Sequence, residues 1–304
     1  MVYVIGKGSN WRDNELRFSL RSISKNGSGI RNIFIVGECP EYLKNIIHIP
    51  ASDIFDPAVN ADGNIITKVL AACGDKRLSE NFLFINDDHL VLKPVNIADV
   101  PAFHKGSMDT FTDDYWNLNY WRKRLRLTKD VLLANHLPCF HFDCHTPMVM
   151  NKEKFKTVIA GFDYKNGIGL TMKSLYGNVV YGINGTILNG QKKTIFKHYK
   201  LQEIDKRILG AQFISFNDHG LNDSLKWWLI DQFPNQCKYE SSEPQDRIFD
   251  IYKWMKNGMH YQEGVAIFRK YFRHKNIGEM FENRETESLK TKLTYKLKQS
   301  VSEI

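Results

Sequence analysis

The stretch that decides the fold is Asn81-Phe-Leu-Phe-Ile-Asn-Asp-Asp-His89, in which an apolar run ends abruptly at two carboxylates. A short apolar run bounded by polar residues predicts a buried β-strand. In open α/β sheets ligands bind beyond the carboxyl ends of the strands, where Asp87 and Asp88 would offer the hard oxygen ligands that divalent cations prefer. An aspartate-rich turn that only caps the strand is the alternative interpretation.

The elements predicted around this strand alternate between strands and helices, which indicates an α/β fold with a largely parallel sheet. On the N-terminal side, the pattern predicts strands at 2–5, 32–36 and 46–49 and helices at 13–24 and 64–72. On the C-terminal side, it predicts strands at 145–150 and 212–216 and helices at 152–159 and 221–233. The stretch 100–145 is aromatic and charged with weak periodicity, so we expect a substrate-facing excursion there.

A domain boundary is predicted at Ser241-Ser-Glu-Pro244, where the α/β pattern stops. Amphipathic segments follow it, separated by glycines, and they predict a small helical module. We therefore expect a catalytic domain over 1–243 and a helical accessory module over 244–304.

Composition and charge limit the class of protein. The chain has 304 residues and is 42% hydrophobic and 25% charged, which is typical of a folded soluble protein. No apolar run reaches the roughly 18–20 residues that span a bilayer. Met1 leads directly into a strand, so we expect neither a membrane span nor a signal peptide. Five cysteines without a CxxC pair predict a reducing, cytoplasmic setting.

The net charge of +8 permits a polyanionic partner such as nucleic acid, acidic glycan or a membrane surface. Part of this charge is concentrated at 121–129, where cations alternate with apolar residues and aromatic side chains lie nearby. A solvated helix face is the ordinary explanation of such a run, and a phosphate-contacting surface is the functional one. The predicted acceptor-binding residues are Trp116, Tyr120, Trp121, Arg122, Lys123, Arg124 and Arg126.

The chain resembles the Stealth family in the segments Glu15-Leu-Arg-Phe-Ser-Leu-Arg-Ser-Ile23, Ile30-Arg-Asn-Ile-Phe-Ile-Val36 and Phe82-Leu-Phe-Ile-Asn-Asp-Asp88. His145-Thr-Pro-Met148 looks like a further conserved block of that family, and Ser174-Leu-Tyr-Gly-Asn178 resembles a recurring piece of its phage and bacterial branch. The family comprises sugar-1-phosphate transferases of capsule synthesis and lysosomal-enzyme tagging, together with related phage and bacterial glycosyltransferases.

The resemblance implies a GT-A-like nucleotide-diphospho-sugar transferase fold and a nucleotide-sugar donor, here expected to be UDP-linked. It also implies a divalent cation, Mn²⁺ or Mg²⁺, held by Asp88 together with Asp87. Such an ion bridges two phosphates and stabilises the departing nucleotide diphosphate. The histidine of the family's third block is functional, which draws attention to His145.

Candidate donor contacts lie after the first strand and on two helices. The Gly-containing turn that begins at Gly6 lets backbone amides approach a nucleotide, although an ordinary β–α turn is the alternative. Asn64 and Lys68 share a helix face because they lie four residues apart, and a plain surface location is the alternative. Arg21, one turn after Arg17, is expected at the solvent. The predicted donor contacts are Gly6, Lys7, Ser9, Arg12, Arg17, Asn64, Lys68, Asn86, Asp87 and Lys173.

Three residues are candidates for the group that activates the acceptor hydroxyl. By resemblance, His145 is a base or a phosphate contact, whereas a histidine in an apolar stretch is by default a satisfied core residue. Asp218 follows a predicted strand and Asp114 lies in the aromatic excursion, and an inverting transfer needs one such carboxylate. The sequence leaves the choice open. The histidines and cysteines between 136 and 145 fit no standard zinc site.

These patterns predict a metal-dependent glycosyltransferase that moves a sugar from a nucleotide-sugar to a large acceptor, with a hydroxymethylated base in phage DNA as the leading acceptor. One alternative is a Stealth-type sugar-1-phosphate transferase, or a glycosyltransferase acting on capsule or surface polysaccharide. Another is a non-catalytic basic protein that binds nucleic acid or glycan. We expect the cytoplasm of a bacterial or phage-infected cell, and the sugar and the oligomeric state stay open.

Overall fold

A computed structural model of the chain describes residues 1–233 and 235–241. The predicted boundary and the helical module at 244–304 lie outside the described residues, so the two-domain division stays a prediction. Among the helices that are described, none is long and apolar enough to cross a lipid bilayer.

The described residues form twelve short strands and eight α-helices. The strands are β1 Val2–Ile5, β2 Gly27–Ser28, β3 Phe34–Gly37, β4 Ile47–Ile49, β5 Asn81–Ile85, β6 His89–Val91, β7 Val95–Asn96, β8 Phe103–His104, β9 Met148–Asn151, β10 Thr186–Ile187, β11 Lys192–Ile195 and β12 Phe213–Phe216. The helices are α1 Asn14–Asn26, α2 Pro57–Gly74, α3 Asp113–Asn117, α4 Tyr120–Ala134, α5 Lys152–Ala160, α6 Met172–Val180, α7 Leu201–Ile208 and α8 Asp223–Gln232.

Five strands form the central sheet, in the order β4-β3-β1-β5-β9. The first four run parallel to one another, and β9 is antiparallel to β5. A smaller sheet has the order β11-β12-β6, in which β12 is parallel to β11 and antiparallel to β6. The predicted α/β class with a largely parallel sheet is therefore confirmed.

The central sheet is buried on both faces because its strands carry apolar residues at consecutive positions. Side chains alternate between the two faces of a strand. In β5, Phe82 and Phe84 pack with α2, α5 and α6, whereas Leu83 and Ile85 pack on the opposite face with α1. A third apolar cluster joins Phe18 of α1 to the smaller sheet and to α7 and α8. This packing attaches the smaller sheet beside the carboxyl end of β5.

Two predicted elements differ from the structure. Helix α2 begins at Pro57, well before residue 64, since Asp56 caps it by accepting a 2.9 Å hydrogen bond from the Ala58 amide. Its regular pattern is interrupted at Asn60, whose backbone is not helical (φ −132°, ψ 62°). The excursion at 100–145 contains the 15-residue helix α4. Its periodicity is weak because a charged side chain, that of Arg124, lies on its buried face.

Candidate functional site

The carboxylates that follow β5 lie at the junction of the two sheets. Asn86, Asp87 and Asp88 form the connection between β5 of the central sheet and β6 of the smaller sheet, and His89 is the first residue of β6. On the smaller sheet, His89 is paired with Ser215 of β12. The sharp change from one sheet to the other directs these polar side chains into the crevice between them.

Asp88, His89 and His145 form a cluster that can hold a metal ion. One ligand atom from each residue lies within 4.8 Å of the others. His89 is 1% exposed, and neither of its ring nitrogens has a hydrogen-bond partner among the described residues. A buried polar group without a partner is costly, and imidazole and carboxylate are ligands of divalent cations. The arrangement therefore fits a cation.

The pKa values of the Asp87 and Asp88 carboxylates also favour a bound cation. Burial raises the pKa of Asp88 to about 8, and the neighbouring charge of Asp87 adds to the rise. Burial also raises the pKa of Asp87 to about 6, with the charge of Glu15 adding. Carboxylates this close repel one another when ionised, and a bound cation relieves the repulsion.

Cations stand on the other side of the cluster. Lys173 is buried and its ammonium donates a 2.9 Å hydrogen bond to the Thr146 carbonyl. Burial lowers the pKa of Lys192 to about 8, and the charge of Lys105 lowers it further. The charges of Lys173, Lys192 and Lys105 also act on His145, whose pKa is lowered by dehydration first and by these lysines next. This side of the crevice suits a doubly charged diphosphate.

His145 occupies a strained backbone conformation, with φ +53°. Left-handed backbone at a residue other than glycine costs free energy, and such residues concentrate at functional sites. The conformation turns the ring toward His89, with the ring centroids 6.0 Å apart. The residue as a whole is exposed, although enough protein surrounds the imidazole for dehydration to lower its pKa.

A cavity of about 340 Å³, which we call the first-loop cavity, opens on one side of the carboxylates. Its lining includes the turn after β1, with Gly6, Lys7 and Ser9, and the turn after β12, with Asp218. Ser9 shapes the first turn, because its hydroxyl accepts hydrogen bonds from the amides of residues 11 and 13. The two strand ends thus bring together predicted residues that are distant in sequence.

A second cavity of about 310 Å³, which we call the aromatic cavity, opens on the other side. Tyr120 and Trp121 of α4 line it, together with polar side chains from α4 itself and from four other segments. Those polar residues are Asp62, Asn86, Arg124, Asp143, His145 and Lys173. Aromatic faces beside carboxylates and amides suit a ring that carries hydroxyl groups.

The floor of the aromatic cavity is a buried ion pair. Arg124 Nη1 lies 2.5 Å from Asp62 Oδ2, and Arg124 also donates to the carbonyls of Val59 and Ile168. Burial raises the pKa of Asp62 to about 6, the charge of Asp143 raises it further, and Arg124 opposes the rise. Asp143 accepts a 2.9 Å hydrogen bond from the Ser174 amide. Arg124, predicted as an acceptor contact, is therefore turned inward and holds the cavity wall.

Two predicted donor contacts on α2 have internal partners. The Asn64 amide accepts hydrogen bonds from the backbone amides of Ile54 and Phe55, both at 2.9 Å, and donates to the Phe55 carbonyl. The Lys68 ammonium is buried between the Ile5 carbonyl at 3.0 Å and the Asp53 carboxylate at 2.7 Å. Both side chains fix loops beside β1, and their contact with a donor stays a prediction.

The arginines of α1 also point inward. Arg17 and Arg21 are both buried and both bind the Glu240 carboxylate, at 2.6 and 2.8 Å. The expectation that Arg21 faces solvent is therefore wrong, because the segment 235–241 returns to cover this helix. Arg12, another predicted donor contact, is exposed at the end of the first turn in a left-handed conformation.

The remaining predicted residues lie on α3 and α4. Asp114 is exposed in the first turn of α3 and lines neither of the two cavities as described. Trp116 is buried in the core. The Arg122 guanidinium lies 4.1 Å from the Tyr115 ring centroid, and the Lys123 ammonium lies 5.6 Å from that of Tyr120. Arg126 lies 3.6 Å from the Asp113 carboxylate at the surface.

Sequence reasoning missed several residues of the crevice. His89 was noted only as a neighbour of the aspartates, although its position directly after them was a usable signal. Asp62, Lys105 and Lys192 were not predicted because each lies in a segment without a motif. The folded chain brings Asp62 to the aromatic cavity and the two lysines to the charged group around His145.

No protein-family model matches the sequence, and no curated protein matches it. The Stealth resemblance therefore stays a prediction. Solved structures similar to this one include galactosyltransferase LgtC with donor and acceptor sugar analogs, at 9% identity, covering 82% of this chain and 100% of that chain, with a TM-score of 0.46. An active-site mutant of LgtC gives 9% identity, coverage of 78% and 98%, and a TM-score of 0.45.

Mouse xyloside xylosyltransferase 1, in its apo form, is also similar, at 12% identity. That match covers 73% of this chain and 98% of the other, with a TM-score of 0.37. These likenesses rest on sequence identities of 9% to 12%. They concern the fold alone, and at TM-scores below 0.5 they support no conclusion about activity.

Proposed function

We propose that this protein is a metal-dependent glycosyltransferase that uses a nucleotide-sugar donor. The observation that carries the proposal is the cluster of Asp88, His89 and His145 at a strand end. Neither ring nitrogen of buried His89 forms a hydrogen bond among the described residues, and Nε2 lies 3.6 Å from the Asp88 carboxylate. A cavity lies on each side of this cluster. A nucleotide-sugar consists of a nucleoside, a diphosphate and a sugar. The first-loop cavity, the metal cluster with its lysines and the aromatic cavity offer suitable contacts for these three parts in turn.

The residues that would hold a Mn²⁺ or Mg²⁺ ion are Asp88, His89 and His145, with Asp87 alongside. When bound, such an ion would neutralise part of the negative charge that develops on the departing diphosphate. The ammonium groups of Lys173 and Lys192 attract the same phosphates from the protein side, which favours the leaving group further.

The two cavities divide the rest of the donor between them. The first-loop cavity, with the backbone of Gly6 and the hydroxyl of Ser9, receives the nucleoside. The aromatic cavity receives the sugar, whose hydroxyls donate to Asp62 and Asp143 while its ring contacts Trp121. Burial in this crevice excludes water, which limits hydrolysis of the donor.

Activation of the acceptor hydroxyl needs a proton acceptor near the bond that breaks between sugar and diphosphate, at the carboxylate cluster between the two cavities. Asp218 and His145 lie at the crevice, whereas Asp114 is on the exposed turn of α3. We therefore propose Asp218 as the base. Asp218→Asn is expected to lower kcat by at least about 100-fold, while Asp114→Asn leaves it unchanged. The reverse result would move the base to α3.

For the acceptor we propose a hydroxymethylated base in DNA, bound along the exposed side of α4. The supporting observation is that Arg122 lies over Tyr115 and Lys123 over Tyr120, which places charge and aromatic faces side by side. Phosphates would be neutralised by the cations while an extruded base stacks on a ring. A capsule or surface polysaccharide is the competing acceptor.

A Stealth-type transfer of sugar-1-phosphate is the second candidate reaction. The three lysines around His145 favour it, because they can hold the phosphate that would be transferred together with the sugar. The nucleotide product distinguishes the two reactions. A glycosyltransferase releases a nucleoside diphosphate, and a sugar-1-phosphate transferase releases a nucleoside monophosphate.

The metal assignment is tested by titrating Mn²⁺ and following the free ion by electron paramagnetic resonance. One ion should bind wild type, and Asp88→Asn or His145→Gln should weaken binding at least about tenfold. Asp130→Asn, which removes an exposed carboxylate from α4, is the matched control and should bind normally. Equal affinity in all variants would show that the cluster is not the metal site.

The reaction is tested by incubating the protein with Mn²⁺, a panel of nucleotide-sugars and either hydroxymethylated or plain DNA. The DNA is digested to nucleosides and weighed by mass spectrometry. A sugar mass on the hydroxymethylated base alone supports the proposal, and a sugar plus phosphate supports the second reaction. Acceptor binding without any dependence on metal or donor would indicate a non-catalytic binding protein.

A further inference from the structure

A second basic surface lies away from the crevice, on the outer side of β11. We call it the α7 pocket. It has a volume of about 660 Å³ and is lined mainly by lysine and arginine side chains from β11, from the loop before α7 and from α7 itself, together with His198, Tyr199 and Glu203. The lining residues used below are Lys193, Lys197, Tyr199, Lys206 and Arg207.

The charges of this pocket are largely uncompensated. Lys193, Lys197 and Lys206 form no ion pair within the described part of the chain, and the last two are exposed. The acidic group in the lining, Glu203, is engaged in capping α7, where its carboxylate accepts a 2.8 Å hydrogen bond from the Lys200 amide. A solvated helix face usually alternates its charges, whereas the cations of this pocket outnumber its one carboxylate.

Two aromatic rings contact Arg207 of the pocket, namely Tyr199, which lines the pocket, and Phe196, which lies next to it outside the lining. The Arg207 guanidinium lies 4.8 Å from the Phe196 ring centroid and 5.0 Å from that of Tyr199. A 2.8 Å hydrogen bond from Arg207 Nε to the Thr194 carbonyl fixes the guanidinium in place. Phe196 nevertheless remains 46% exposed. A large exposed ring beside free cations offers a face on which a flat group can stack.

Strand β11 connects this pocket with the crevice. Neighbouring side chains on a strand point to opposite faces. Lys192 acts electrostatically on Asp88 in the crevice, whereas Lys193 lines the α7 pocket. Because β11 is an edge strand of its sheet, a polymer can pass from one face to the other over that edge.

We propose that the α7 pocket binds single-stranded nucleic acid, with phosphates on Lys193, Lys197 and Lys206 and a base stacked on Phe196. The pocket supplies cations that attract phosphodiesters, and an exposed ring on which a base can stack lies beside them. Proteins that bind single-stranded nucleic acid combine these two features. A neutral glycan has no use for three free cations. The proposal requires no catalytic activity, so it stands or fails separately from the proposed reaction.

The experiment measures binding of a fluorescently labelled oligothymidylate by anisotropy over a range of salt concentrations, without donor or metal. Lys197→Ala/Lys206→Ala removes two phosphate contacts, so the slope of log K against log salt should fall by about 1.4. At about 0.1 M salt this corresponds to a loss of affinity of about 25-fold. Lys44→Ala/Lys76→Ala removes two exposed lysines elsewhere and serves as the control of equal charge.

Phe196→Ala tests the stacking contact. It should weaken the oligothymidylate about tenfold and leave the binding of inorganic polyphosphate unchanged. Equal losses in the α7 pocket variant and its control would show that only net charge matters, which would overturn the proposal. Binding confined to vesicles of anionic lipid would overturn it too. A loss that appears only in Arg122→Ala/Lys123→Ala would transfer nucleic-acid binding to α4.

Discussion

Glu240→Gln tests whether the buried cluster of Arg17, Arg21 and Glu240 is structural. The Glu240 carboxylate is fully buried and accepts hydrogen bonds from Arg17 Nη1 at 2.6 Å, Arg21 Nε at 2.8 Å and the Cys237 amide at 2.9 Å. Glutamine keeps the shape but removes the charge, and it turns an NH₂ group toward arginine donors. The two guanidinium groups then lose the charge of the carboxylate that both of them bind.

The expected cost is about 3–5 kcal/mol, the loss typical of breaking a buried ion pair by removing one partner. This is a large share of a total stability of about 5–15 kcal/mol. Unfolding in urea, followed by tryptophan fluorescence, measures it. With a slope of about 2.5 kcal/mol/M the midpoint should fall by about 1–2 M. A fall of less than about 1 kcal/mol with an unchanged slope would refute the structural interpretation.

A control variant and a pH dependence complete the test of Glu240. Glu38→Gln is the matched control, since the Glu38 carboxylate lies 3.8 Å from Lys7 at the surface, and its loss should stay within about 0.5 kcal/mol. Burial alone would raise the pKa of Glu240, but Arg21 and Arg17 lower it below its usual value. Wild type should therefore lose this stabilisation as the pH falls below about 4.5, and Glu240→Gln should not. If Arg17 instead binds the donor, Arg17→Ala will raise KM without lowering stability.

Three other perturbations have expected outcomes. Gly37→Ala should destabilise by about 2–4 kcal/mol in urea unfolding, because φ is +109° and the new Cβ would lie 2.1 Å from the Ile5 carbonyl; a neutral result would contradict this geometry. Phe155→Ala should cost about 3–5 kcal/mol in the same assay, since the ring is fully buried, and a loss below about 1 kcal/mol would place it outside the core. The raised pKa of Asp62, about 6, means that the folded state binds this proton more tightly than the unfolded state. The stability difference between wild type and Asp62→Asn should therefore fall by about 2 kcal/mol as the pH rises from about 4 to about 6, and a flat difference would show that Asp62 keeps its usual pKa.

Local sequence pattern was sufficient to predict the strands of the central sheet and the carboxylates at its edge. The apolar run before Asn86 has no alternative but a buried strand, and the polar residues that end it must lie at the edge of the sheet. The strand at 81–85 was therefore predicted with its observed bounds. Local composition is sufficient here because strand length and burial are encoded in neighbouring residues.

Which residues face the crevice depends on contacts between segments that are distant in sequence. His89 and His145 lie far apart in the chain, and their rings meet because β6 joins the smaller sheet while a left-handed backbone at His145 turns it inward. Arg17 looked like a free cation on an amphipathic helix, and it became a buried partner of Glu240 across 223 positions of sequence. Helical periodicity reports which side chains share a face, but the partner that covers the face comes from elsewhere in the chain. Long-range packing therefore settled what local pattern left open.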